Sequence, residues 1–127
     1  MIAAFKKKAM ALMQQITTDR RWDIEDQTLF VVMGMTYYGY CLGYGKLVCM
    51  LDDQQVNEEV VETLHRLGAG DKYVRGLISA ANTSFYSQEQ TLYNQLVNIG
   101  HNYFMMDQLK ELVDGIYLNA QTVAQQR

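Results

Sequence analysis

No proline occurs in the 127 residues of this chain, where roughly 5% is usual. Proline breaks helix interiors and punctuates loops, so its absence suits a chain that is mostly helix with short connections. Hairpin dipeptides are almost missing too. The sole Asp-Gly, Asp114-Gly115, lies inside a helical apolar pattern and not between alternating strands. Charge is also sparse: 20% of residues are charged, the net charge is −3, and no basic stripe is present to meet phosphate. A nucleic-acid partner is therefore not expected.

Cysteine is limited to Cys41 and Cys49. On one continuous helix they would stand ~12 Å apart, beyond the ~7 Å reach of a disulfide. Unpaired thiols point to a reducing compartment. The apolar run Met1 to Phe5 precedes Lys6-Lys7-Lys8, the reverse of a signal peptide's order. The cytoplasm is the expected location.

What is present reads as an all-α, single-domain bundle of five to six helices, residues 1–127, around an apolar central helix at about 24–51. The first helix carries Ile2, Phe5, Ala9, Leu12 and Ile16 on one seam. Asp23 is the expected N-cap of the second, and from Thr28 to Leu51 only Lys46 is charged. A helix apolar all round must be enclosed by neighbours or by lipid. The segment is long enough to cross ~30 Å of hydrocarbon. Its four glycines, four tyrosines, Thr36 and Lys46 argue for a protein interior, so membrane association is not expected to lead. Gly39 and Gly43 share a face that another helix can approach, with a break at Gly43-Tyr44-Gly45 as the alternative.

Asp52-Asp53 opens a third helix with Val56, Val60, Leu64 and Leu67 inward, and Gly68 suits its left-handed terminus. Asp71 is expected to cap a short fourth helix facing inward through Val74, Leu77, Ile78 and Ala81. Ser87 and Gln90 form a plausible capping box for a fifth, with face Leu92, Leu96, Ile99 and Tyr103. The pattern resumes at Leu109, Leu112, Val113, Ile116 and Ala120, and a break is expected between Asn102 and Asp107, because one 35-residue helix would be unusually long.

Catalytic patterns fail one by one. Glu62 and His65 have di-iron spacing but lack the remaining ligands. Gly39 to Lys46 has the wrong spacing for a phosphate loop, with Leu47 where a hydroxyl is needed. Cysteines in an apolar helix have raised pKa values and make poor nucleophiles. No enzyme activity, cofactor or metal is expected.

Nine tyrosines are the most unusual feature. Tyr37, Tyr38, Tyr40 and Tyr44 cluster on the central helix, either as core or as an interface, since tyrosine suits both roles. Met105 and Met106, beside Tyr103 and Phe104, form a second adaptable apolar surface. The candidate interface is accordingly Tyr37, Tyr38, Tyr44, Tyr103, Phe104, Met105 and Met106. The run Cys41-Leu42-Gly43-Tyr44, followed by a Val60-Val61-x-x-Leu64 helix and another short helix, resembles part of the helical amidase-immunity proteins of type VI secretion over less than half of the chain. Those proteins are exported and disulfide-linked, so no residue role is carried across.

The expected function is non-enzymatic binding of another protein, of inhibitor, immunity-factor or adaptor type. A homodimer is expected as well. The alternatives are a helical pocket for an apolar or aromatic small molecule, and a peripheral membrane protein using Lys6-Lys7-Lys8.

Overall fold

A computed structural model describes residues 1–126 and contains only helices among them: α1 (Ile2–Thr17), α2 (Gln27–Gly43), α3 (Asp53–Arg66), α4 (Asp71–Tyr86), α5 (Leu92–Tyr103) and α6 (Leu109–Gln125). A π-helical turn, Tyr44–Val48, continues α2 without a gap. The central helix therefore runs from Gln27 to Val48, and all other helices touch α2. Every residue from Val32 to Gly43 is buried.

Local chemistry sets most boundaries. The Asp52 carboxylate accepts from Gln55 N–H at 2.8 Å while the Gln55 side chain accepts from Asp52 N–H at 3.0 Å, a reciprocal cap for α3. Gly68, at φ 108°, closes α3 in a left-handed conformation that costs other residues energy. Three expected starts or lengths differ. Asp26, not Asp23, caps α2 by accepting from Leu29 N–H, because the Asp23 carboxylate is already used in a turn by Glu25 N–H. Thr91, not Ser87, caps α5 by accepting from Asn94 N–H. Ser87 instead ends α4 and accepts from Glu89 N–H. The inward face of α5 shifts accordingly to Asn94, Leu96, Val97 and Gly100, and Leu92 is exposed.

The fourth helix is not short: it spans 16 residues, with Gly70 at its N-cap and Asp71 in its first turn. Its last turns carry Asn82, Thr83 and Ser84, weak helix formers. Tertiary hydrogen bonds from the Asn82 amide hold them, to Tyr38 at 2.7 Å and Asp53 at 3.0 Å.

The tightest packing is α2 on α5. A Cβ added to Gly39 would lie 1.8 Å from the Val97 carbonyl oxygen, and one added to Gly100 would lie 1.8 Å from that of Thr36. Each helix thus seats a glycine beneath the other's backbone, an approach no side chain permits. The space beside Gly43 is filled by the Phe104 ring. Away from this contact, Tyr117 OH donates to the Ile16 carbonyl at 2.6 Å, and Arg21 holds Asp114 at 2.7 Å while lying over the Tyr117 ring. These bonds tie the last turn of α1 and the segment after it to α6.

Candidate functional site

The C-terminal end of the central helix gathers much of the molecule. Phe5 of α1 and Val56 of α3 close on Gly45, Tyr86 of α4 meets Lys46, and Phe104 after α5 covers Gly43. The alternative of a break at Gly43-Tyr44-Gly45 is not realised, because the helix widens there into the π turn. Cys49 N–H reaches the Tyr44 carbonyl at 3.1 Å and Leu51 N–H reaches that of Gly45 at 2.9 Å. The extra residue in the turn keeps Gly45 and Cys49 inside and leaves Leu47, Val48 and Met50 facing out. Single π turns of this kind often mark functional sites. Met50 follows it with φ 61°, a left-handed conformation uncommon for a side-chain-bearing residue.

An aromatic row crosses this end. Tyr86, Phe85, His101 and Phe104 follow one another at centroid separations of 5.0, 4.9 and 5.3 Å. Beneath it runs a polar network. Lys46 Nζ donates to Tyr86 OH at 2.8 Å and pairs with Asp53, and Asp53 accepts from Tyr86 OH at 2.7 Å. Tyr38 OH accepts from Asn82 and donates to Asn57, so the phenol is fully satisfied.

Burial acts to raise the Asp53 carboxyl, but hydrogen bonds from Lys46, Tyr86 and Asn82 outweigh it and leave it below 3.8. The bond to Asp53, then that to Tyr86, raises Lys46. Burial, then the Lys46 charge, lowers His101 below 6.5. Burial pushes the Tyr38 phenol up to about 12. At neutral pH this is a paired Lys-Asp frame with a neutral imidazole between two phenyl rings. It fixes the aromatic surface in place.

Exposed apolar side chains lie in the segments that flank this frame. Met50 is 81% exposed, Met105 74%, Leu47 63% and Tyr86 54%; Val48 and Met106 are exposed beside them in sequence. The structure brings Tyr44, Tyr103, Phe104, Met105 and Met106 to this end, with Tyr103 OH donating to Glu111 at 2.7 Å. Tyr37 and Tyr38 do not join them. Both are core residues, because α2 is enclosed along their length, and Tyr37 OH donates to the Ala9 carbonyl at 3.2 Å. Neither offers a partner any side-chain surface. Leu47, Val48, Met50 and Tyr86 escaped sequence reasoning, since nothing local marks where an all-apolar helix leaves the bundle.

The remaining candidates have local duties. Glu62 pairs with Arg66 at 3.0 Å, and His65 Nδ1 donates to the Ala69 carbonyl at 2.9 Å. Cys41 and Cys49 are buried and unpaired, and burial drives the Cys41 thiol up to about 12. Lys6 pairs with Glu59 and Lys8 lies over the Tyr44 ring. At the far end of α2, Ile24, Gln27, Phe30, Ala69 and Tyr73 line an open groove of about 320 Å³. Among the described residues, no helix is long and apolar enough to cross a membrane.

The fold and this surface define a six-helix bundle with an apolar, aromatic end. Comparison of the chain with known protein families, with characterised proteins and with solved structures found no match.

Proposed function

We propose that the chain is a non-enzymatic protein-binding bundle, of inhibitor, immunity-factor or adaptor type, that docks through the end formed by the π turn and residues 103–106. The observation that carries this reading is the exposure of Leu47, Met50 and Met105 over a frame held by the Lys46–Asp53–Tyr86 bonds. Adaptable methionine and rigid aromatic groups on a fixed scaffold suit protein recognition. The buried thiols of Cys41 and Cys49 fit a reducing, cytoplasmic setting.

A photocrosslinker placed at Leu47 or Met105 tests it in the cell of origin, with Leu118, exposed on α6, as the control position. Discrete protein adducts from the first two positions and none from Leu118 are expected. Equal or absent adducts at all three positions reject the reading. The groove at Phe30 and Tyr73 favours a second reading, an apolar small ligand, since its volume of about 320 Å³ reaches the lower limit of typical ligand pockets. Native mass spectrometry of the purified chain decides that case by the presence or absence of a bound small molecule.

A further inference from the structure

We infer that the groove between α3 and α4 is a further recognition site, which takes an extended residue of a peptide by its main chain. Asp53 is ionised at neutral pH and so can only accept hydrogen bonds. The Asn82 group that faces it at 3.0 Å must therefore be the amide NH2, whose other N–H goes to Tyr38 at 2.7 Å. The Tyr38 oxygen, having accepted, has one hydrogen to give, and Asn57 Oδ1 receives it. The buried phenol thus sets the direction of both amides. The N–H groups of Asn82 are spent and its carbonyl is left over; the carbonyl of Asn57 is engaged and its NH2 is left over. Among the described residues, no side chain or carbonyl meets either leftover group. Both amides line a groove of about 230 Å³. Their bonds end on the same Tyr38 oxygen, so the free donor and the free acceptor are neighbours.

Charge and lining select the occupant. Glu58 and Arg75, the charged residues of the groove, pair with each other at 3.2 Å, so neither sign is favoured. No aromatic ring lines the groove to stack a base or a sugar. Val61 and Ile78 give it an apolar part. What fits is a neutral group with one donor and one acceptor side by side. An extended residue is such a group, since its N–H and C=O lie on one strand edge, as in antiparallel pairs that exchange both bonds. Its N–H donates to Asn82 Oδ1 and its C=O accepts from Asn57 Nδ2, the main-chain recognition by which domains take up an added strand. The groove shares no residue with the surface of Leu47, Met50 and Met105, so this proposal and the one above fail independently.

Nuclear magnetic resonance of the side-chain amides in the full chain tests this, with N-acetyl-alanine-N′-methylamide as the probe. Saturable shifts of the Asn57 and Asn82 amide signals are expected. The proline analogue, which lacks the residue's N–H, should bind about two- to tenfold more weakly, the worth of one hydrogen bond. Asn57→Asp should abolish binding, because its carboxylate still accepts from Tyr38 but has no N–H to offer. Circular dichroism checks that this variant keeps its helices; if it does not, the alanine and proline probes compared on the wild-type chain decide alone. Absence of a saturable shift overturns the proposal, as does equal binding of the two probes or undiminished binding to a folded Asn57→Asp variant. Shifts produced by methyl glucoside and not by the alanine probe also overturn it, in favour of a carbohydrate.

Discussion

Met50 holds φ 61° at a position where helices usually place glycine, and its side chain is among the most exposed in the molecule. A left-handed conformation costs a residue with a Cβ roughly 1 kcal/mol. Nothing in the monomer compensates through burial. Met50→Gly is therefore expected to raise stability by up to about 1 kcal/mol. The urea midpoint should rise at an unchanged slope. A fall of similar size would mean that the Met50 side chain covers apolar surface within the monomer. Backbone strain that survives beside an exposed apolar side chain is typical of binding sites.

At the scale of the elements, the two closest approaches of α2 and α5 are backbone against backbone. Gly39→Ala or Gly100→Ala places a methyl 1.8 Å from a carbonyl oxygen, and relief requires the helices to separate. Each should destabilise the fold by more than about 3 kcal/mol, at the upper end of point-mutant effects. Gly76 and Gly115 are also helical, but a Cβ there meets nothing within 4 Å. Gly76→Ala and Gly115→Ala should each stabilise by about 0.5–1 kcal/mol. Thermal unfolding of the four variants reads out both predictions, and equal behaviour of the two pairs would refute the packing account. The same contrast shows how far the sequence was legible. Periodic faces revealed α1, α3 and α6 together with the inward residues of α4, and the Asp52-Asp53 start of α3 and Gly68 at its end were readable because each acts within one turn. Gly100 was invisible as a packing residue because its reason lies in Thr36 on another helix. The start of α5 was misplaced because Ser87 and Thr91 are equally good caps until tertiary packing chooses between them. The length of α4 depends on bonds from Asn82 to α2 and α3. The candidate surface was half legible for the same reason. Tyr37, Tyr38 and Tyr44 are chemically alike, and only the point where α2 leaves the bundle separates core from surface.

For the whole molecule, the titrating groups define a window of stability with unequal sides. On the acid side His101 prefers to be neutral in the fold, so the unfolded chain takes the proton first as pH falls below 6.5 and stability declines from there. The lowered Asp19 and Asp53 carboxyls add a second loss, as pH falls below 3.8 and towards the value of about 2 held by Asp19 through its hydrogen bonds from Arg21. The alkaline side should be steeper. Burial raises the phenols of Tyr37, Tyr38, Tyr40 and Tyr117 above 10.0, and raises the Cys41 thiol above 9.0. An acid whose folded pKa is raised contributes stability that is complete below its unfolded pKa and is lost as pH rises towards the folded value. Cys41, Tyr38 and Tyr117 reach about 12 in the fold. Each such group steepens the decline by about 1.4 kcal/mol per pH unit across its own interval. Denaturant midpoints should therefore be nearly constant between pH 6.5 and 9.0 and then fall sharply. Tyrosinate absorbance offers an internal check, because burial holds the four phenols neutral in the fold well above pH 10.0, while opening of the bundle lets them ionise at their ordinary value. Their absorbance should rise together with the loss of helical circular dichroism, after an early fraction from the exposed tyrosines. Full tyrosinate absorbance near pH 10 with the helical signal intact would show that α2 is not enclosed as described.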